Sequence, residues 1–544
     1  MNPHRPGLFS GPLCWERVRT MKRLPVGFCL GAWIGGIVLL APSVVQAVVL
    51  LPYEQVVLGD NPVAYWRLEE TTGTTAYDSS GNAKDGTYTG GVTLGQAGGP
   101  MGGMAARFDG SSGHVQLPGT WGGTDWSALT IEAWVNTDSP VTGDFQSIVA
   151  SSNESSLNFA HFHLGTSYGT GARVMTGGGA AWAEVQPPPS PTPTGVWRHI
   201  ALVAQSGDTR VYVDGLRTGT GSTLQFTYIV PSYAGDVAIG RGGYGGGGNP
   251  GRWFKGLIDE VAIYKTALSD QQVLAHYIAG QPEYVRLVAA SQPVIYYKLH
   301  EAGVSTGARA GNYGFLGASM HGTYRGSFTD VPSAYSPLVF AKQFNSSYVS
   351  VPAVSVPGAD NVQQFTFEFW MKPSTSNDLQ AIYAADGWSQ GKVHLNLSSS
   401  GQELELGIYG LPSPYPRVNL APYAPLGQWS HIVVTYDTLS TPGNYIVNYY
   451  VNGALIETDT GTGSQAVTFA TTGSIGAWYI TWDQVYSRYF KGALGDFAVY
   501  PYVLSAHDVY LHYAGIPEPS TWVLMVLGAL GLAGSRLFAR RKKS

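Results

Sequence analysis

The chain has 544 residues, enough for two or three domains of roughly 100–200 residues each. Charged residues and aromatics each make up 12%, with 71 glycines and 33 tyrosines, which suits short strands and tight turns and excludes a helical bundle. The formal net charge of −5 lacks the basic footprint that a nucleic-acid partner requires.

Near the start, Met21-Lys22-Arg23 opens a basic segment, followed by an apolar run from Val26 to Leu40. Pro42 then precedes Val45-Gln46-Ala47, a small-residue pattern that signal peptidase accepts, so residues 1–47 read as a secretory signal peptide. The first twenty residues add nothing to that signal, which points to Met21 as the true start. Cys14 and Cys29, the only cysteines, both lie upstream of the cut. Thiol catalysis and thiolate metal sites are thereby excluded from the exported part, and a core of this size needs no disulfide.

From there the chain is one module written twice. Pro62-Val63-Ala64-Tyr65-Trp66 returns as Pro293-Val294-Ile295-Tyr296-Tyr297, and Phe108-Asp109 returns as Phe344-Asn345. Glu132-Ala133-Trp134 returns as Glu368-Phe369-Trp370, and Trp197-Arg198-His199 as Trp429-Ser430-His431. Val213-Asp214-Gly215 matches Val451-Asn452-Gly453, and Phe254-Lys255-Gly256 matches Phe490-Lys491-Gly492. Six blocks in one order, shifted by roughly 235 residues, make each copy a domain, since solenoid repeats run about 20–50 residues. The copies are bounded as 48–280 and 281–516, with no long linker between them, so they are expected to touch.

Within each copy the pattern is strand and turn. Asp214-Gly215 and Asn452-Gly453 tolerate the positive φ angles of a type I′ hairpin turn. The segments 130–135 and 366–371 alternate with period two and predict one buried face each. One convincing helix closes each copy, opened by a capping box at Ser269–Gln272 and at Ser505–Asp508 and ended by Gly280 and Gly515.

These blocks resemble the LamG-like, concanavalin A-like jelly-roll family. The resemblance rests on the Tyr-Trp opening, the Asp78-to-Asn82 turn, the strand ending in Ala133-Trp134, the Trp197-to-His199 strand and the closing Ile258-Asp259-Glu260. It implies an all-β fold of two tandem jelly-roll sandwiches. The second copy departs from it, lacking the Asp78-type turn and carrying Leu494-Gly495-Asp496 at the close.

Residues 517–544 begin with Pro517-Glu518-Pro519, continue as an apolar stretch from Trp522 to Gly534, and end with Arg540, Arg541, Lys542 and Lys543. This tail resembles the PEP-CTERM sorting signal of Gram-negative bacteria, a short transmembrane-like helix with a basic end. The resemblance implies recognition and removal by an exosortase, a membrane protease of the envelope.

Catalytic signatures are missing. Gly240-Arg241-Gly242-Gly243-Tyr244-Gly245 satisfies G-x-G-x-x-G, but no helix pattern follows it, so a dinucleotide site is rejected. Glycosidases on this sandwich commonly place two carboxylates on one strand, roughly 5–9 Å apart. Glu132 and Glu368 instead stand without that partner pattern, and they read as hydrogen-bonded sheet residues together with His199 and His431.

The aromatic segment Trp478, Tyr479, Trp482 and Tyr486 is the candidate ligand contact, and Pro187–Pro193 is a stiff exposed insertion. Related sandwiches often hold a structural calcium ion where the first and last strands meet; that implies ligation in the first copy by Glu69 and Asp259, whose matches are His300 and Gly495. The protein is expected to be a non-enzymatic recognition, adhesion or matrix protein of the envelope. Its expected partner is an extracellular polysaccharide or an envelope protein, with a carbohydrate-active enzyme or a purely structural matrix protein as the alternatives.

Overall fold

The structure is a computed structural model that describes residues 50–118, 126–138, 146–151, 160–164, 172–174, 183–185, 194–222, 237–243, 250–337, 339–354 and 359–515. The signal segment, the proline-rich insertion and the C-terminal tail lie outside the described residues. Among those described, no helix is long and apolar enough to cross a membrane.

Each copy is a sandwich of two antiparallel sheets. In the first copy one sheet runs from the strand Leu216–Ser222 through Asp208–Val213, Arg198–Gln205, Ala128–Thr137 and Lys255–Tyr264 to Met104–Asp109 and Val92–Ala97. The facing sheet centres on Gln146–Ser151, Val237–Ile239 and His114–Gln116. The second copy repeats both, with Gln364–Pro373 and Gly492–Tyr500 paired at the middle of its first sheet. Alternation drives the layering: Leu129, Ile131, Ala133 and Val135 face the inter-sheet core of the first copy, and Phe365, Phe367, Phe369 and Met371 that of the second.

The hairpin turns form as their sequences require. Asp214 and Gly215 have φ of 53° and 74°, and Asn452 and Gly453 have 49° and 79°. Where the second copy lacks the Asp78 turn, Asn312 takes over its work. Asp78 Oδ1 accepts the Tyr65 amide at 2.9 Å, and Asn312 Oδ1 accepts the Tyr296 amide at 2.7 Å.

Two expectations need correction. Each copy opens with a helix as well as closing with one: α1 (Tyr53–Gly59) and α2 (Asp270–Ala279) in the first, α3 (Glu283–Ala290) and α4 (Ala506–Ala514) in the second. Pro52 and Pro282 stand just before α1 and α3, where a missing N–H costs nothing. The central strands are also buried on both faces, because these helices cover the outer side, where Trp134 and Trp370 pack.

That outer layer is continuous across the copies, joining Tyr53, Trp134 and Tyr277 to Tyr284, Trp370 and Tyr500 in one apolar cluster. Lys298 from the second copy lies between the rings of Tyr277 and Tyr313, at 4.1 and 4.3 Å from their centres. Its ammonium donates to the Tyr277 hydroxyl and to Gln281 Oε1. Arg309 reaches the Arg217 carbonyl at 2.9 Å, and Arg286 the Leu51 carbonyl at 2.6 Å.

Candidate functional site

The two strand glutamates are sealed beneath the closing helices. Glu132 accepts from His199 Nε2 at 3.2 Å, from His276 Nδ1 at 2.8 Å and from the Tyr264 hydroxyl, and all four side chains are buried. Glu368 repeats the cage with His431 at 2.8 Å, His512 at 3.0 Å and Tyr500 at 2.6 Å, and adds Tyr284 from α3. Burial alone would raise the Glu132 carboxyl, yet the charge of His276 and hydrogen bonds from both histidines hold it well below the usual range. Burial opposes the His276 imidazolium, but Glu132 and Asp60 outweigh it and push the ring up to about 9. His512 is raised in the same way by Glu368.

The cage ties three strands of one sheet to the helix above them, and its members are buried. Glu132, Glu368, His199 and His431 are thus hydrogen-bonded, as their strand positions suggest. The helix histidines were missed. Their signal was available, because His276-Tyr277 recurs as His512-Tyr513 at the same place in both closing helices.

Asp259 and Glu260 stand at a bulge, where the pairing of Lys255–Tyr264 with Ala128–Thr137 shifts register and Glu260 takes φ 53°. The bulge turns Glu260 toward the Tyr65 hydroxyl and Arg67, while Asp259 Oδ2 accepts the Gly99 amide at 3.0 Å. Asp259 Oδ1 is buried without a hydrogen-bond partner. Burial, then the neighbouring Glu260, raise the Asp259 carboxyl well above its ordinary range. Glu69 faces the same glycine-rich loop, accepting from the Met104 amide at 2.8 Å and from Arg67 at 3.1 Å. Gly98 lets that loop approach Asp259 closely, since a Cβ there would lie within 2.9 Å of Asp259 Oδ2 and of the Gly102 and Met104 carbonyl oxygens.

The second copy has Gly495 in place of Asp259, and its remaining acid is fully engaged. Asp496, the match of Glu260, accepts from the hydroxyls of Tyr296 and Tyr335, both at 2.7 Å, and lies 3.1 Å from His300 Nε2. Among the described residues, no group of three or more His, Cys, Asp or Glu side chains is placed to hold a metal ion. A cation at Asp259 would therefore draw on backbone carbonyls, and the orphan buried oxygen is the feature that fits one.

The four aromatic candidates come together on one hairpin, in which Trp478–Ile480 pairs with Val485–Ser487. Trp478 is 7% exposed and packs on Ala381 and Ala384, with the Arg488 guanidinium 4.2 Å above its ring. Tyr479 and Tyr486 meet at 4.9 Å, and Tyr486 stacks on Tyr348 at 4.0 Å. Trp482, at the tip, is 63% exposed and presents its ring to solvent.

Comparison with known proteins matches residues 109–274 and 344–510 to the concanavalin A-like lectin/glucanases superfamily, and residues 515–543 to a PEP-CTERM protein-sorting motif. No curated protein matches the chain. Similar solved structures include domain 4 of AbnA, an extracellular arabinanase from Geobacillus stearothermophilus, at 24% identity and TM-score 0.31, covering 40% of this chain and 98% of that one. The LG4-5 domains of the mouse laminin alpha1 chain align at 11% identity and TM-score 0.25, covering 69% and 83%. The binding domain of Paraclostridial Mosquitocidal Protein 1 aligns at 14% and 0.33, covering 65% and 88%.

Proposed function

The chain belongs to the concanavalin A-like lectin/glucanases superfamily and carries a sorting motif of exported envelope proteins, and from this we propose that it is a non-enzymatic recognition module of a Gram-negative cell envelope. Its ligand is a glycan, of the extracellular matrix or of an envelope glycoprotein, and its tail is handed to an exosortase. The observation that carries this reading is a contrast in access. Glu132 and Glu368 are sealed in histidine and tyrosine cages, whereas Trp482 offers an open ring of the kind that stacks on sugar faces. A structural calcium ion in the first copy, at Asp259 with Glu69 beside it, belongs to the same proposal. Its role is to neutralise buried carboxylate charge and pin the 98–103 loop, not to act on a substrate.

A glycan array probed with the exported protein tests the reading. A hit weakened by Trp482→Ala supports it. Turnover of any glycan replaces it with a carbohydrate-active enzyme, and the absence of any ligand leaves a purely structural matrix protein.

A further inference from the structure

Four loops from distant parts of the second copy converge at one end of its sandwich and line a groove of about 940 Å3. Most of that lining is hydroxyl and amide, from Ser327, Thr329, Gln343 and the run Ser374 to Asn377. Tyr486 forms an aromatic wall, held by its stack on Tyr348, so the groove continues directly from the aromatic hairpin.

The charges of the groove are Arg488, Lys491 and Asp378, two cations against one anion. Lys491 is held by neutral groups, whereas Arg488 also feels the Glu405 carboxylate. Arg488 lies over the Trp478 ring, and Lys491 donates to Asn345 Oδ1 and Ser346 Oγ. Burial works against the Arg488 charge, so an incoming anion would meet a guanidinium already partly stripped of water.

The first copy gives an internal comparison. Arg252 and Lys255 match Arg488 and Lys491, but Asp109 stands where the second copy has Asn345. The Asp109 carboxylate accepts the amides of Ser111, Ser112 and Gly113, each at 2.9 Å, which fixes it as an anion. The same loop therefore carries a negative charge in one copy and a neutral amide in the other.

We propose that this groove binds an anionic polysaccharide. Sugar hydroxyls meet the serine, threonine and amide lining, a ring face meets Tyr486, and the acid group meets Lys491 and Arg488. The inference rests on the glycan-binding reading above and adds to it the charge of the ligand and the copy that takes it.

The test is calorimetric titration of the exported protein, carrying both sandwiches, with oligomers of a uronic acid, a sulfated dextran and a neutral dextran. Asn345→Asp imports the first copy's own residue and so is expected to fold; Lys491→Gln removes a charge at the surface. Each is expected to weaken acidic oligomers about tenfold and to leave any neutral binding unchanged, while Trp482→Ala weakens both kinds. The two acidic probes distinguish carboxylate from sulfate as the recognised group. Neutral glycans alone binding, or acidic binding that neither groove variant weakens, overturns the groove inference while the recognition reading stands. No binding to any glycan overturns both.

Discussion

Glu368 shows how one residue can decide between two chemistries. On its strand it looks like half of an acid pair, yet the two histidines, Tyr500 and Tyr284 leave its oxygens fully engaged. Glu368→Gln removes the charge that holds His512 and His431, and is expected to destabilise the second copy by about 3–5 kcal/mol, read by denaturant unfolding. The cage also sets a pH dependence. His276 faces Glu132, Asp60 and Tyr264, and its folded value near 9 stands above its unfolded value. Its contribution is thus fully present below about pH 6.5 and is lost as pH rises through 9. Glu132 is shifted the other way, so its contribution fades as pH falls below about 4.5. Lys298, pushed down to about 8 because burial disfavours its charge, opposes the histidine trend. Melting temperature measured from pH 6 to 10 for the protein and for His276→Gln separates the two: the variant should lose less stability on the alkaline side.

At the scale of single elements, the 98–103 loop and the 478–487 hairpin mark where the copies diverge. The loop of the first copy faces an orphan Asp259 oxygen, whereas the second copy has Gly495 at that position and engages its Asp496 with Tyr335 and His300. Calcium is accordingly expected to raise the melting temperature of the first copy and leave the second unchanged, since an ion stabilises only the state that binds it. Asp259→Asn should remove that response. A shift that survives the substitution, or one seen equally in both copies, places the ion elsewhere or nowhere. Neither loop nor hairpin is a strand of the sandwich core, which is why sequence divergence there costs the fold little.

For the whole molecule, the two inter-sheet cores are separate while the outer cluster is shared. Fragments 48–280 and 281–516 are each expected to give a cooperative thermal transition, because each keeps its own core and both its helices. Each should melt below its counterpart in the intact protein, since separation exposes Tyr277 and Leu216 on one side and Tyr313 on the other. Calorimetry of both fragments and of the parent checks this, and identical melting temperatures would show that the shared cluster adds no stability.

The sequence by itself determined whatever depends on near neighbours along the chain. The Asp214-Gly215 turn, the Ser269 and Ser505 capping boxes, the alternating central strands and the duplicated module all follow from local conformational preference and from repetition. It also brought Trp478, Tyr479, Trp482 and Tyr486 to attention as one aromatic segment, which the hairpin then gathered. Only the tertiary structure decided which faces were covered. The opening and closing helices together turned half-exposed strands into fully buried ones, and the helix histidines reached Glu132 and Glu368 from 144 residues away in each copy. The groove of the second copy was equally illegible, because its hydroxyls, its amides and the segment bearing both cations and the tyrosine come from four separate parts of the chain. Burial and charge pairing are set by long-range packing, and no short window of sequence carries that information.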